Sequence, residues 1–177
     1  IQRKIIMNIV ITGTSKGMGK ALAIKYATQG NKVFICSRNE DGLKKTAKEI
    51  KEFNENNSVD YFTADISLQS SALDFTNWLA GQNIVPDILI NNAGQFIPGS
   101  VFNEPEGVLE KMIAVNLYSA YYVTRALLPG RIEKKAGYRG NRCSIASLHT
   151  YSNGGAYSIS KHAFIGVSKN LREELKS

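Results

Sequence analysis

The chain has 177 residues, 43% hydrophobic and 21% charged, with 15 Gly but only 4 Pro and 2 Cys. This composition predicts one globular domain over residues 1–177 and excludes a disordered, collagen-like or disulfide-stapled protein. Cys36 and Cys143 stand far apart in apolar sequence without a metal-binding spacing. We therefore expect reduced thiols, no structural metal and a cytoplasmic protein.

The formal net charge is +7, from 22 basic and 15 acidic residues. The basic residues are dispersed, and the densest groups, at 44–51 and 131–142, resemble solvated faces more than a stripe that binds nucleic acid. We expect no nucleic-acid partner, and the positive charge weakly favours an anionic ligand. No apolar run approaches the roughly 18 residues that cross a bilayer, so we expect no membrane partner either.

The first half of the chain alternates short β-branched runs with amphipathic runs, which predicts strands separated by helices. The strands are expected at 5–12, 33–37, 59–63 and 88–90. Of the helices between them, the first ends near Gly30, the second is capped by Asn39, and the third opens at Ser67. Strands that alternate with helices in this way predict right-handed crossovers and a parallel sheet covered on both faces.

The second half continues with a long helix, whose apolar residues run from Leu109 to Leu127 and which should end at Pro129 and Gly130. A last helix should begin near Tyr157. A fifth strand is expected between these two helices, leading toward Ser147.

A glycine-rich turn joins the first predicted strand to the first helix. Gly13 permits a tight turn, Gly17 lets backbone N–H groups approach a pyrophosphate, and Gly19 allows close packing of the helix. The start of the helix would face the anion with its free N–H groups. The turn therefore predicts dinucleotide binding, with a purely structural turn as the alternative.

The residues about twenty positions beyond this loop bear on the choice of cofactor. Sites for NAD usually place a carboxylate there, on the adenosine ribose, whereas this chain has Ser37 and Arg38. Arg38 can bind a 2′-phosphate with its planar fork, and Lys16 can add a second positive charge. We therefore expect NADP(H) to be favoured over NAD(H), unless Arg38 is only a solvated residue at the end of a strand.

Three motifs follow one another along the chain. Thr-Gly-x-x-x-Gly-x-Gly runs from Thr12 to Gly19, Asn-Asn-Ala-Gly runs from Asn91 to Gly94, and Tyr-x-x-x-Lys is formed by Tyr157 and Lys161. In this combination and order the chain resembles the short-chain dehydrogenase/reductase family. The resemblance implies a Rossmann-type α/β fold with strand order 3-2-1-4-5, and a homodimer or homotetramer formed through the long helix and the Tyr157 helix.

The resemblance also assigns roles to single residues. It makes Tyr157 the acid or base, with Lys161, Ser147 and Asn116 as the other catalytic residues, and it places Asp65 on the adenine. Lys161 would also hydrogen-bond the nicotinamide ribose, Asn116 would hold a water, and Ser147 would donate to the substrate carbonyl. The implied cofactor contacts are Gly13, Ser15, Lys16, Gly17, Met18, Gly19, Ser37, Arg38, Asp65, Ile66, Asn92, Ala93, Gly94, Tyr157 and Lys161.

Residue chemistry supports part of this assignment. Tyr157 and Lys161 are four residues apart on a predicted helix and so share one face. A nearby ammonium favours the tyrosinate, and lowering a tyrosine pKa from about 10 to about 7 corresponds to about 4 kcal/mol. Tyr157 is therefore a candidate general acid for reduction and base for oxidation.

Two features depart from the family pattern. The segment from Tyr138 to Arg142 is polar where a buried central strand is usual, so the fifth strand either starts late, near Cys143, or has an unusual composition. The chain ends at Ser177, where family members continue with further strands, so we expect the C-terminal strands to be missing.

Together these observations predict an NADP(H)-dependent oxidoreductase that transfers hydride between the cofactor and a small carbonyl or secondary alcohol. A reductase of 3-oxoacyl groups is an alternative within the family. A regulatory protein that binds a dinucleotide without catalysis is an alternative outside it.

Overall fold

A computed structural model describes residues 5–134 and 138–175. Within these ranges lies one five-stranded parallel sheet with the strand order 3-2-1-4-5, as predicted. The strands are β1 (Asn8–Thr12), β2 (Lys32–Ser37), β3 (Val59–Thr63), β4 (Ile88–Asn91) and β5 (Tyr138–Asn141).

The helices are α1 (Gly17–Thr28), α2 (Glu40–Phe53), α3 (Gln69–Gly81), α4 (Val108–Ile113), α5 (Ser119–Glu133) and α6 (Gly155–Glu174). A π-helical turn, Ala114–Tyr118, joins α4 to α5, and a 3₁₀ turn, Ile145–Ser147, precedes α6. No helix among the described residues is long and apolar enough to cross a membrane.

The strands β1 and β2 are buried on both faces because their side chains alternate between two apolar clusters. Ile9 and Ile11 of β1 pack with residues of α1 and α2 on one face, whereas Val10 packs with residues of α3 and α5 on the other. Residues that differ by one position in a strand point to opposite faces, so both faces of β1 need apolar side chains. This arrangement brings the carboxyl ends of all the strands to one edge, where the loops gather.

The first predicted strand is too long at its start. Ile5 and Ile6 are exposed, and pairing of β1 with β2 begins only at Asn8, opposite Lys32. The β-branched residues before Asn8 satisfy the strand pattern but have no neighbouring strand to pair with. The third predicted strand, by contrast, is confirmed at both ends.

The predicted start of α2 is confirmed and that of α3 is wrong. Asn39 accepts a hydrogen bond from the Gly42 N–H at 2.8 Å, as a helix cap should. Ser67 was expected to open α3, but the helix begins at Gln69. The Asp65 carboxylate accepts from both the Ser67 N–H (3.1 Å) and the Ser67 hydroxyl (2.6 Å), which holds Ser67 in a turn before the helix.

The long helix neither ends at Pro129 and Gly130 nor remains regular. It passes through Pro129 and continues to Glu133, and it contains the π-helical turn around Asn116. Proline removes one backbone N–H, but Pro129 is exposed, so water can bond the freed carbonyl group.

The fifth strand does not start late, because β5 covers Tyr138–Asn141. Among the described strands, β5 pairs only with β4. Asn141 accepts from the Asn91 amide at 2.9 Å and donates to the Ser168 hydroxyl at 2.6 Å. The polar side chain of Asn141 at the end of the strand is thus hydrogen-bonded by its neighbours.

The apolar setting expected for both thiols holds for Cys36 only, because Cys143 is exposed.

Candidate active site and nucleotide cleft

The glycine loop between β1 and α1 needs glycine at Gly13 for two reasons. Its φ of +70° is unfavourable for other residues, and a Cβ there would lie 2.7 Å from the Cα of Ala93. The Gly13 N–H donates to the Cys36 carbonyl at 2.8 Å, which ties the loop to the end of β2. The loop is therefore packed tightly between the ends of β2 and β4.

Gly19 packs against Asn92 and does not line the open cleft at the carboxyl edge of the sheet. A Cβ on Gly19 would lie 2.3 Å from the Asn92 amide nitrogen and from the Gly13 carbonyl oxygen. That amide nitrogen donates to the carbonyls of Thr12 and Gly13 at 2.9 and 2.8 Å. The predicted helix packing at Gly19 is present, and its direct contact with the cofactor stays a prediction.

The start of α1 is uncapped and open. Gly17 has a φ of +60°, and a Cβ there would meet no heavy atom within 4 Å. The first turn of α1 contains no acidic residue, and no side chain caps it. Free N–H groups and the positive end of the helix dipole thus face open space, which fits the diphosphate of a dinucleotide.

The loop opens into a cleft of about 380 Å³ at the carboxyl edge of the sheet. The predicted cofactor residues that line it are Gly13, Ser15, Lys16, Gly17, Met18, Ser37, Arg38, Asp65, Ile66, Asn92, Ala93 and Gly94. The lining residues that the sequence did not indicate are Cys36, Ala64, Ser67, Val115, Ser119 and Arg142. Tyr157 and Lys161 lie outside this lining.

At one end of the cleft, Arg38 and Asp65 face each other. The Arg38 guanidinium lies 3.7 Å from the Asp65 carboxylate, and both side chains are well exposed. Because exposed ion pairs contribute little, Arg38 remains available to an anion.

Two of the predicted catalytic residues, Asn116 and Lys161, meet at Gly94, just after β4. A Cβ on Gly94 would lie 3.0 Å from Asn116 Oδ1 and 3.7 Å from Lys161 Nζ. Lys161 is buried, and its ammonium donates to the Arg142 carbonyl at 3.1 Å. Burial and the Arg142 charge lower the pKa of Lys161 from 10.5 to about 8.

Asn116 lies in the π-helical turn and links three segments. Its side chain accepts from the Gln95 N–H at 2.8 Å and donates to the Gln95 carbonyl at 2.9 Å. It also donates to the Ser160 hydroxyl at 3.0 Å, and Ser160 in turn donates to the Tyr157 carbonyl at 2.7 Å. Asn116 thereby fixes the loop after β4 against α6.

Tyr157 stands on α6 beside Lys161, as the spacing predicted. Lys161 Nζ lies 5.8 Å from the centroid of the tyrosine ring, and the ring contacts Phe96 edge-on at 4.8 Å between centroids. The side chain is half-buried. The phenol is thus placed next to a cation and remains partly open to solvent.

Ser147 differs from its expected position at the end of a strand. It lies in the 3₁₀ turn, is buried, and its hydroxyl accepts from the Ser144 N–H at 3.2 Å. The Ser144 hydroxyl, which accepts from the Ala146 N–H at 3.2 Å, is less buried. The structure therefore offers two hydroxyls in this turn where the sequence indicated one.

Glu104 positions the start of α6, which no sequence signal indicated. Its carboxylate accepts from the Ala156 N–H at 2.8 Å, across 52 residues. A Cβ on Gly155 would collide with the same carboxylate. Negative charge at a helix N-terminus is favourable, so Glu104 both caps α6 and orients it.

The sheet order and the glycine loop define a Rossmann-type nucleotide-binding fold. The family model "short chain dehydrogenase" matches residues 7–177, and the chain belongs to this family of oxidoreductases.

Three relatives illustrate the match. An uncharacterised oxidoreductase of Staphylococcus saprophyticus is 29% identical, with 94% of this chain and 70% of the relative covered. The 3-ketodihydrosphingosine reductase of Bos taurus is 29% identical, with 96% and 52% covered. The crystal structure of a variant actinorhodin polyketide ketoreductase with NADPH superposes with a TM-score of 0.90 at 27% identity, over 96% of this chain and 65% of that one. The chain thus spans between half and seven tenths of these relatives.

Proposed function

We propose that the chain is the cofactor-binding and catalytic domain of an NADP(H)-dependent oxidoreductase acting on a small carbonyl compound or secondary alcohol. The observation that carries this proposal is the continuity of two groups of residues. Asn92, Ala93 and Gly94 line the nucleotide cleft, and Gly94 also faces Asn116 and Lys161. One short segment therefore joins the cradle for a dinucleotide to the acid–base group.

The bound dinucleotide would supply or accept the hydride. Tyr157 moves the proton, from its phenolic oxygen to the substrate oxygen in reduction and back in oxidation. Lys161, with its pKa near 8, is mostly protonated at neutral pH, and its charge beside the ring favours the tyrosinate. Asn116, through Ser160, holds the backbone of Tyr157 in place.

A hydroxyl of the 3₁₀ turn would donate to the substrate oxygen as charge develops there. Ser147 is the residue proposed from the sequence, and its hydroxyl must rotate its own proton toward the substrate while it accepts from the Ser144 N–H. Ser144 is a second candidate because its side chain is less buried. Comparison of Ser147→Ala with Ser144→Ala separates the two, since the functional hydroxyl is the one whose loss lowers kcat/KM.

The preference for NADP(H) rests on Arg38 and Lys16, which line the cleft without an acidic residue at the position that contacts the ribose in NAD sites. A 2′-phosphate would displace Asp65 from Arg38 and gain a charge-assisted contact. The relative crystallised with NADPH supports this choice of cofactor.

The substrate is proposed as a small molecule, and the whole protein as a homodimer or homotetramer. The names of the bovine reductase and the polyketide ketoreductase favour a ketone over other carbonyl compounds. The ketone of a 3-oxoacyl group is one such substrate. A regulatory protein that binds without turnover is the second candidate, and the engagement of the Ser147 hydroxyl within its own turn favours it.

Parallel titrations with NADPH and NADH, followed by nicotinamide fluorescence, test the proposal. We expect tight binding of NADPH and weaker binding of NADH, and a preference that Arg38→Asp shifts toward NADH by about thirtyfold, or about 2 kcal/mol. Binding of neither cofactor contradicts the proposed function. Binding without oxidation of NADPH by a panel of ketones selects the regulatory alternative.

A further inference from the structure

Arg142 is a cation of the cleft that the proposed mechanism does not use. It follows β5 directly, is half-buried, and lines the same cleft as the glycine loop. Its backbone N–H donates to the Asn91 carbonyl at 3.0 Å, which continues the pairing of β5 with β4. The side chain is therefore attached to a fixed backbone at the carboxyl edge of the sheet.

The guanidinium of Arg142 is connected to the glycine loop through one side chain. It donates to Asn92 Oδ1 at 3.0 Å. The amide nitrogen of Asn92 donates in turn to the Gly13 carbonyl at 2.8 Å. This pair of hydrogen bonds places a positive charge next to the loop where the start of α1 presents its N–H groups.

Most of the N–H donors on the Arg142 guanidinium have no hydrogen-bond acceptor among the described residues. An arginine side chain carries five N–H donors in a fixed fork. Among the described residues, the contact with Asn92 is its one side-chain hydrogen bond, and no carboxylate forms an ion pair with it. The donors that no described protein group engages are available to an anionic ligand.

A second cation lies beside the first. The Lys161 ammonium donates to the Arg142 carbonyl at 3.1 Å, and repulsion from Arg142 adds to burial in lowering the pKa of Lys161. Within the described part of the chain, neither cation is in an ion pair with a carboxylate. Lys161 does not line the cleft, but its charge adds to the positive potential around Arg142, which favours an anion beside the guanidinium.

We propose that Arg142 binds the diphosphate of the dinucleotide, together with the N-terminus of α1. The inference rests on the proposed function and extends it by one ligand residue. The connection through Asn92 to Gly13 favours the diphosphate over the 2′-phosphate, for which Arg38 stands at the end of β2. An arginine fork matches the geometry of two phosphate oxygens, so the donors that remain on Arg142 suit this group.

The test compares binding of ADP-ribose, NADPH and AMP to the wild-type chain and to Arg142→Gln. ADP-ribose and NADPH both contain the diphosphate, whereas AMP has only one phosphate. We expect the substitution to weaken ADP-ribose and NADPH by a similar factor of about ten or more, and AMP by much less. Affinity measured against salt concentration should also fall less steeply in the variant, because one charge contact is lost.

Two further variants control for charge and for folding. Arg142→Lys keeps the charge without the fork, so its affinity should lie between those of the wild type and Arg142→Gln. Arg172→Gln removes an exposed arginine of α6 that lies outside the cleft and should leave all three affinities unchanged. Circular dichroism and thermal unfolding show whether each variant is folded.

The outcomes separate this inference from the proposed function. If the wild type binds no dinucleotide, both are wrong. If the wild type binds and Arg142→Gln binds ADP-ribose equally well, only the role of Arg142 is wrong. Unchanged cofactor affinity with a raised KM for carboxylate-bearing ketones would assign Arg142 to an anionic substrate instead. Tighter binding in Arg142→Gln would mean that the side chain obstructs the cleft, which also overturns the inference.

Discussion

At the scale of single residues, the role of Tyr157 in proton transfer can be tested separately from its contribution to the stability of the fold. Its ring contacts Phe96, while its phenolic oxygen makes no hydrogen bond among the described residues. Tyr157→Phe should therefore leave NADPH affinity and the free energy of unfolding nearly unchanged. Loss of the proton donor should lower kcat by about two to four orders of magnitude. Steady-state kinetics beside a fluorescence titration measure both effects, and a variant that keeps most of the wild-type kcat would contradict the mechanism. Tyr151→Phe, an exposed tyrosine before α6, is the control.

Lys161 should make the stability of the unliganded chain depend on pH in alkaline solution. Burial, followed by Arg142, lowers the pKa of Lys161 to about 8 in the folded chain from 10.5 in the unfolded chain. Between these values the unfolded chain binds more protons, so stability rises with pH, by up to about 3 kcal/mol over the window. Below pH 8 the ammonium is protonated in both states and contributes no slope.

Urea unfolding at pH 7.5, 9 and 10 measures this effect as a difference between the wild type and Lys161→Met. The difference should grow in favour of the wild type as the pH rises. Lys169→Met, an exposed lysine of the same helix, should show no such trend relative to the wild type. A difference that stays constant with pH would mean that the pKa of Lys161 is not lowered in the folded chain.

At the scale of elements, α6 depends on a residue from a distant loop. Glu104→Ala removes the acceptor for the Ala156 N–H, so we expect a loss of about 1 kcal/mol of stability and a lower kcat as the start of the helix loosens beside Tyr157. Glu104→Gln retains an acceptor oxygen and should restore much of both. Glu106→Ala, an exposed carboxylate two residues away, serves as the control. An unaltered kcat in a folded Glu104→Ala variant would separate this contact from catalysis.

The elements also show which kinds of information a sequence contains. The bounds of β3 could be predicted because residues that favour strands, Val59–Thr63, follow a polar stretch of sequence. The cap at Asn39 could be predicted because its side chain accepts from an N–H only three residues further along the chain. The π-helical turn at Asn116 was not, because it is stabilised by contacts with Gln95 and Ser160 from other parts of the chain. Ser67 was predicted to open the helix because the sequence pattern could not show that its N–H and hydroxyl would donate to the Asp65 carboxylate instead.

The site divides in the same way. The glycine loop and the Tyr157–Lys161 pair could be proposed from the sequence because each lies within one local motif. Arg38 could be proposed because it lies about twenty residues beyond the loop, where NAD sites usually have a carboxylate. Arg142 and Glu104 act through Asn92 and Ala156, which are 50 and 52 residues away. Such contacts exist only after the chain has folded, so spacing and periodicity could not predict them.

At the scale of the whole molecule, the two cysteines report on global unfolding. Cys36 is buried at the end of β2, and burial raises the pKa of its thiol to about 12, whereas Cys143 is exposed. In native protein at pH 8, a thiol reagent should label one cysteine rapidly, and the second only at the rate of unfolding. Mass spectrometry of the labelled chain identifies the site, with Cys143→Ser as the control. Rapid labelling of Cys36 would show that the sheet opens locally at the cleft.

The hydrogen bonds around Asn92 also bear on how the chain acquires its site. Asn92 joins the carbonyls of Thr12 and Gly13 to the side chain of Arg142, and its neighbour Gly94 faces Lys161. The cradle at the front of the sequence is therefore completed by residues made about 80 to 150 positions later. During synthesis the glycine loop would emerge first yet lack the groups that shape it, so nucleotide affinity should arise as a late step of folding.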